Sequence, residues 1–514
     1  MTALVGGDVR DAVAMVLELS TWPVLVYFLL LNSSYLVLIV LAGRDGARGR
    51  RRAPFADHEE TLSAPLTPAV SLLVPAHDEA AGIVASVGAL LALRYPRHEV
   101  VVVDDGSTDA TFALLADAYG LVEVTRRLPA DVPTTGTVLS VHEPADGRTP
   151  LVVVRKVNSG RSDALNVGIN AARHELVCFV DADSLLDPDA LTVVARPFVD
   201  DPARVVASGG VVRAVNGSRV VAGRVVEARM PSGWLARIQV MEYLRAFLLG
   251  RAGWSRLGCL VLISGAFGLY RRDIVVQVGG LDPTCIGEDL ELCVAVHRAM
   301  RDEGRDYRVV AVSEPVSWTE VPATRAVLGS QRRRWHRGLA EVLWRYRGML
   351  GNPRYGRIGL VALPYYVLFE LIAPLLEVVG AVLGPMALVT GLLEPARALA
   401  VILAVYAYAM FVSVAALAVE ELSFHRYGRW RDLVVSVGVS FVENVGYRQL
   451  TAWWRLQGLW AALRRREHVW GVMTRQGFDS EDLTPGSAAA PASVVSRAPV
   501  AAPSAVAEPQ PALR

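Results

Sequence analysis

The chain has 514 residues, too many for one ordinary core, so two or more domains are expected. Hydrophobic residues make up 53%, mean hydropathy is +0.35, and 52 basic against 51 acidic residues leave a formal charge of +1. That balance excludes a nucleic-acid binder held by a basic surface and points to a membrane protein with a soluble part.

In chain order, residues 22–43 ("WPVLVYFLLLNSSYLVLIVLAG") carry no charge and are long enough to cross a bilayer. The arginine run of residues 44–52 follows, which places that end in the cytoplasm. Residues 1–52 therefore form an N-terminal membrane segment. From 68 to 322 the pattern changes. Short apolar runs ("AVSLLVPA", "HEVVVVDD", "LVVVRK", "ELVCFVDAD") alternate with helix-like stretches at 79–93, 108–119 and 162–174. This predicts an α/β domain with a mostly parallel sheet, whose ligand lies beyond the carboxyl ends of the strands. Residues 323–357 are basic and aromatic, contain a Gln-x-x-Arg-Trp motif and read as interfacial helices.

Apolar sequence returns over 358–452. The tract 358–393 is interrupted by Pro364, Pro374 and Glu377, the tract 398–419 is clean, and the tract 433–450 holds Glu443 and Asn444, which must face protein or water. A cytoplasmic end requires an even number of crossings, so four are expected here, with the first tract split in two. Residues 453–484 are rich in arginine and tryptophan and read as a cytoplasmic interfacial segment. Residues 485–514 read as a disordered tail. Cys178, Cys259, Cys285 and Cys293 show no C-x-x-C spacing, which fits buried thiols in a reducing compartment.

The chemistry lies in paired acids. "VVVVDDGSTDAT" ends a strand with Asp104 and Asp105, and "VCFVDADSLLDPDAL" ends another with Asp181 and Asp183. In an extended segment Asp181 and Asp183 point to the same side and offer hard oxygens to Mg²⁺ or Mn²⁺ shared with substrate phosphates. The alternative is a strand end turning into a helix, with Asp183 or Ser184 as a cap. "GEDLEL" puts Glu288 and Asp289 at a helix start, where the helix dipole also favours acids. "QRRRWHRGL" sets Gln331, Arg334 and Trp335 in a cationic patch, which could equally meet lipid headgroups.

The order of these four motifs resembles the family 2 glycosyltransferases, and among them the membrane-embedded processive synthases of hyaluronan, chitin, cellulose or poly-N-acetylglucosamine. The resemblance covers about residues 68–350 and the flanking membrane segments. It implies a nucleotide-diphospho-sugar transferase (GT-A-like) domain with a mostly parallel sheet, plus an α-helical transmembrane bundle in the inner membrane, the catalytic domain facing the cytoplasm. It implies inverting, metal-dependent transfer of a hexosyl unit, N-acetylglucosamine or glucose, from a UDP-sugar to a β-linked polysaccharide. Expected partners are the UDP-sugar, the glycan acceptor, membrane lipids and export proteins, with no nucleic acid.

By the same resemblance, Pro75 and Glu79 in "VPAHDEA" match the nucleotide signature Pro-x-Tyr-Asn-Glu, with His77 and Asp78 replacing Tyr and Asn. Asp104 and Asp105 hold uridine. Lys156, Arg161 and Asp163, in "KVNSGRSDALNVGI", lie near the diphosphate and donor sugar. Arg161 stands where lysine is usual, which keeps the charge and changes the geometry. Lys156 is the only lysine in the chain, either because a compact ammonium is needed there or by chance. Asp181 and Asp183 hold the metal, Asp183 directly. Asp289, with Glu288 beside it, is the general base; a carboxylate in a closed site near other acids holds a proton more tightly, which suits that work. Arg334 binds the departing phosphates, and Gln331 and Trp335 meet the acceptor sugar. Gly265 in "LISGAFGLYRRD" lines the acceptor pocket or belongs to a tightly packed strand. Residues 239–251 form an amphipathic helix at the membrane surface or beside the acceptor channel. Two other functions fit the same residues: single transfer to a lipid or polyprenyl phosphate, and a non-catalytic receptor or regulator on this fold.

Overall fold

The structure, a computed structural model, describes residues 67–424 and 430–464 and parts of 11–44. Most of the arginine run, the segment 465–484 and the tail 485–514 lie outside the described residues.

The sheet grows from its valine runs. Val70–Ala76 (β1) and His98–Asp105 (β2) pair in parallel, and Val100 to Val103 are all sealed from solvent. β-branched side chains suit a strand covered on both faces, and alternate residues serve opposite layers. Val101 and Val103 pack with Leu165 and Ile169 of helix Arg161–Ala171. Val100 and Val102 pack with Ile83 and Val87 of helix Ile83–Leu91 (α1).

The remaining strands are Leu121–Glu123 (β3), Val138–Pro144 (β4), Leu151–Lys156 (β5), Leu176–Val180 (β6), Leu185–Leu186 (β7), Val205–Ala214 (β8), Arg219–Val221 (β9), Arg224–Glu227 (β10), Phe267–Arg271 (β11) and Arg308–Thr319 (β12). Ten form one sheet in the order β3-β4-β5-β2-β1-β6-β11-β8-β12-β7, and β9 pairs with β10. The centre, β5-β2-β1-β6, is parallel. Strand β11 runs antiparallel to β6 and β8, with Phe267 beside Val180. The start of β11 and the ends of β5, β2 and β6 therefore share one edge, and that edge carries the site.

The helices after α1 are Thr111–Tyr119 (α2), Arg161–Ala171 (α3), Ala190–Asp200 (α4), Trp234–Tyr243 (α5), Ala252–Arg256 (α6), Arg272–Gln277 (α7), Glu288–Asp302 (α8) and Arg325–Arg345 (α9). Then come Ala373–Val389 (α10), Pro395–Phe424 (α11), Trp430–Val442 (α12) and Tyr447–Leu463 (α13). The strands and α1 to α3 agree with the sequence pattern to within a few residues.

The apolar tracts differ from expectation. Residues Ile358–Val389 form one helical run of 32 residues, bent rather than split in two. Its first part is wound into π-helical turns, Ile358–Ala362 and Tyr366–Leu371, on either side of Pro364, which cannot donate a backbone bond. The tract 433–450 is not one span. Helix α12 stops at Val442, and Gly446, in a left-handed backbone (φ 82°), begins α13. Among the described residues, Ile358–Val389 and Pro395–Val419 are long and apolar enough to cross a membrane, and the described part of 22–43 holds a shorter apolar helix, Leu29–Leu41.

Helix α13 lies against α9, not in an apolar span. A Cβ at Gly329 would meet the Trp454 ring at 2.8 Å, and one at Gly458 would meet the Arg333 carbonyl at 2.3 Å. Only glycine lets the two helices lie this close.

Candidate active site

Four strand and helix ends meet at the carboxyl edge of the parallel strands. Asp105 ends β2. Its carboxylate accepts the Ser159 amide (3.0 Å) and the Gly160 amide (2.8 Å) and pairs with the Lys156 ammonium. Lys156 ends β5 and is wholly buried, 3.1 Å from Asp163 in the first turn of α3. Asp163 also accepts the Thr135 and Gly136 amides (2.5 and 3.1 Å) and the Ser159 hydroxyl (2.6 Å). Burial alone would raise the Asp163 pKa. The Ser159, Thr135 and Gly136 donors and Lys156 outweigh it and hold the carboxyl at about 2. Gly136 packs on Lys156 so closely that a Cβ would lie 2.7 Å from Nζ. The segment around it thus closes over the lysine, whose ammonium is engaged by Asp105 and Asp163.

Arg161, the first residue of α3, spans the middle of the site. Its Nε and Nη2 donate to Asp181 Oδ1 (2.9 and 2.6 Å), its Nη1 to Glu288 (2.7 Å) and its Nη2 to the Gly265 carbonyl (2.9 Å). Burial works against its charge, but Asp181 and Glu288 hold its pKa above the usual guanidinium range. Burial raises the pKa of Glu288, against the pull of Arg161. Asp289 accepts the Gly265 amide at 3.2 Å. Gly265 precedes β11 and belongs to the site edge, not to a packed strand.

Arg334 lies within electrostatic reach of Glu288, Asp181 and Asp289; burial lowers its pKa. Gln331 is buried, and its amide oxygen has no hydrogen-bond partner among the described residues. Trp335 is 45% exposed, and the Arg332 guanidinium stands 4.9 Å over its ring, so one face is already covered.

At the outer end, His77 Nδ1 lies 3.0 Å from the Asp105 carbonyl and 3.1 Å from the Asn158 amide nitrogen. Asp78 adopts φ 55°, a left-handed conformation that Asp tolerates, and accepts the Thr108 amide at 2.7 Å. Asp104 accepts the Ser107 amide (3.0 Å), and the Glu79 amide donates to the Thr111 hydroxyl (2.9 Å). Pro75, near the end of β1, sits beside Val103.

The D-x-D geometry is a correction. Strand β6 ends at Val180, and residues 181–184 form a turn closed by the Ser184 amide on the Asp181 carbonyl (2.9 Å). Side chains in a turn do not alternate from face to face as they do along a strand. Asp181 faces Arg161, while Asp183 influences the Tyr243 phenol. No group of three or more carboxylate, imidazole or thiol side chains gathers as a metal cage among the described residues. A small hard cation does not need one, since one or two carboxylates and substrate phosphates suffice, and the oxygen donors of Asp181 and Asp183 fit that set.

A cavity of about 250 Å³ opens between the start of α3 and the loop before α8, lined by Ser159, Arg161, Ser162, Cys285, Ile286 and Arg337 among others. Arg337 in this cavity and a glycine contact beside it are not evident from the sequence motifs. Arg337 shares a helix face with Arg334, three residues earlier, and that spacing was the available signal. Gly338 meets Gly287 backbone to backbone; a Cβ on Gly338 would lie 2.8 Å from the Gly287 nitrogen. This contact seats α9 directly on the turn that leads into Glu288 and Asp289.

A family model described as "Glycosyltransferase like family 2" matches residues 132–338, and one described as "Glycosyl transferase family 2" matches residues 71–127. The chain thus carries glycosyltransferase family 2 sequence over nearly all of its sheet domain. It is 28% identical over 311 residues to a poly-beta-1,6-N-acetyl-D-glucosamine synthase of Staphylococcus aureus, covering 60% of this chain and 62% of the relative. It is 27% identical over 276 residues to the protein of the same name from Staphylococcus epidermidis, covering 54% and 56%. The chain thus spans about three fifths of the length of these relatives. A mannosyltransferase from Pyrobaculum calidifontis, solved in complex with GDP-Man and Mn²⁺, overlays with a TM-score of 0.45 at 18% identity, covering 84% of this chain and all of that one. That likeness is too remote to carry function.

Proposed function

We propose that this chain is a glycosyltransferase that adds N-acetylglucosamine from a UDP-sugar to a growing β-linked polysaccharide, with inversion, at the cytoplasmic face of the inner membrane. The observation that carries this reading is the continuous bridge from Asp105 through the Ser159–Gly160 amides and Arg161 to Asp181 and Glu288, with Asp289 beside it. The printed names of the Staphylococcus relatives support the choice of sugar. The two long apolar helices after the sheet domain support the membrane setting.

In this mechanism Asp105 and the amides it orients hold the uridine end. Asp181 and Asp183 would hold Mg²⁺ or Mn²⁺ together with the donor phosphates, and the ion would supply positive charge against the departing diphosphate. Asp289 takes the proton of the acceptor hydroxyl. That oxygen then bonds to the anomeric carbon as the bond from carbon to the β-phosphate oxygen breaks, and UDP leaves with the electron pair. Attack opposite the diphosphate turns an α-linked donor into a β-linkage. Arg334 steadies the phosphates, and the buried Gln331 oxygen is available to an acceptor hydroxyl. Arg161 keeps Glu288 and Asp181 from repelling the diphosphate.

Membranes carrying the full chain should release UDP from UDP-N-acetylglucosamine and form long chains early. Asp289→Asn should lower that rate by at least about a hundredfold. A wild-type rate in this variant would remove Asp289 from the mechanism, and turnover confined to another UDP-sugar would refute the assigned donor.

A further inference from the structure

The segment 239–251 holds three charged residues, Glu242, Arg245 and Arg251. Glu242 accepts from Arg332 of α9 (2.5 Å) and from the Tyr447 hydroxyl of α13 (2.8 Å). Arg245 pairs with Glu443 (2.6 Å) and donates to Ser413 of α11 (2.9 Å). Both are engaged by surrounding helices. Arg251 is not: among the described residues its guanidinium makes no hydrogen bond or ion pair and stacks 3.7 Å over the Phe247 ring. Residues Leu244–Arg251 are wound as a π-helix, which sets residues four apart almost above one another and so builds this stack. Such turns recur at functional sites. Tyr243, itself stacked on Phe247 with ring centres 5.5 Å apart, continues the aromatic wall.

Arg251 lies within electrostatic reach of Asp289, Tyr243, Tyr270 and Tyr366, and burial lowers its pKa. Arg251 is half-buried, and a guanidinium partly withdrawn from water with no hydrogen-bonded carboxylate among the described residues can take a partner from outside the chain. Asp289 and Asp183 both lie near this region, so an anionic group would meet repulsion there. A sugar would not: its hydroxyls accept from the guanidinium and donate to the carboxylates, and its apolar face suits the tyrosine rings.

Building on the proposed function, we propose that Arg251 binds the acceptor glycan, hydrogen-bonding to its hydroxyls and holding the nucleophilic hydroxyl at Asp289. The test uses the full chain in membranes, UDP-N-acetylglucosamine as donor and a β-linked N-acetylglucosamine tetramer as acceptor. Arg251→Gln is expected to raise the acceptor KM about tenfold or more, with the donor KM within about twofold of wild type. Arg251→Lys, which keeps the charge and loses the planar fork, should fall between. Equal rises in both KM values, or no change in either, overturn the proposal. An effect seen with polyprenyl phosphate and not with the tetramer reassigns the residue to a lipid phosphate and overturns it as well. If the glutamine variant does not accumulate, Arg251→Lys and Phe247→Leu carry the same reading: a raised acceptor KM supports it and an unmoved one refutes it. Asp289→Asn tests the proposed function separately, because it should abolish transfer whatever Arg251 does.

Discussion

Replacing Gly338 by alanine measures how strictly the arginine-rich helix must sit on the acidic turn. The new methyl would lie 2.8 Å from the Gly287 nitrogen, 2.9 Å from its Cα and 3.3 Å from the Ile286 carbonyl carbon. All three atoms are backbone, so no side chain can swing aside. Reaching the 3.4 Å of an ordinary contact requires α9 and the turn to part by about 0.6 Å. Overpacking of this kind costs about 1–3 kcal/mol of stability. A displacement approaching 1 Å between reacting groups costs up to about a hundredfold in rate. Gly338→Ala should therefore lower kcat for UDP release by about 10- to 100-fold. Gly348 provides the control, since a Cβ there meets nothing within 4 Å and Gly348→Ala should leave the rate unchanged. The assay is coupled UDP detection in membranes at saturating donor. If Gly338→Ala turns over within about twofold of wild type, the helix is not seated on the turn in the working enzyme.

Arg161→Ala should leave Glu288 buried without its cation, costing about 3–5 kcal/mol by thermal melting and nearly all turnover; Arg161→Lys should restore stability more than rate, because an ammonium cannot span Asp181 and Glu288 together. Asp163 has a folded pKa of about 2, below the 3.8 of an unperturbed aspartate. Its contribution of about 2 kcal/mol is present above pH 4 and lost as pH falls towards 2, so Asp163→Asn should flatten the acid limb of a melting-temperature profile. Chelation by EDTA should stop UDP release and Mn²⁺ or Mg²⁺ should restore it; full activity after chelation would remove the metal from the mechanism.

The sheet was legible because valine runs bounded by turn residues admit few other structures, and strand-end acids mark the ligand edge wherever a parallel sheet forms. The D-x-D turn was misjudged. Strand β6 stops one residue before Asp181, a boundary set by the β6–β11 pairing rather than by local sequence. Arg161 was found by motif, but its partners lie 20 and 127 residues away, beyond any local pattern. The break of the last apolar tract did have a signal: Gly446, three residues after Glu443 and two after Asn444, is where a continuous span would be hardest to maintain. The Gly287–Gly338 approach had none, because glycine pairs distant in sequence announce nothing until the chain is folded.

The seating of α13 against α9 determines how the enzyme can be handled. A truncation after Leu350 would retain every proposed catalytic side chain and still bare the face of α9 that Trp454 and Gly458 cover, releasing the Arg332–Glu242 latch from its tyrosine. The sugar-handling half and the helices beyond it should therefore be purified, melted and assayed as one body. An inactive soluble fragment would say little about the chemistry of the carboxylates it still contains.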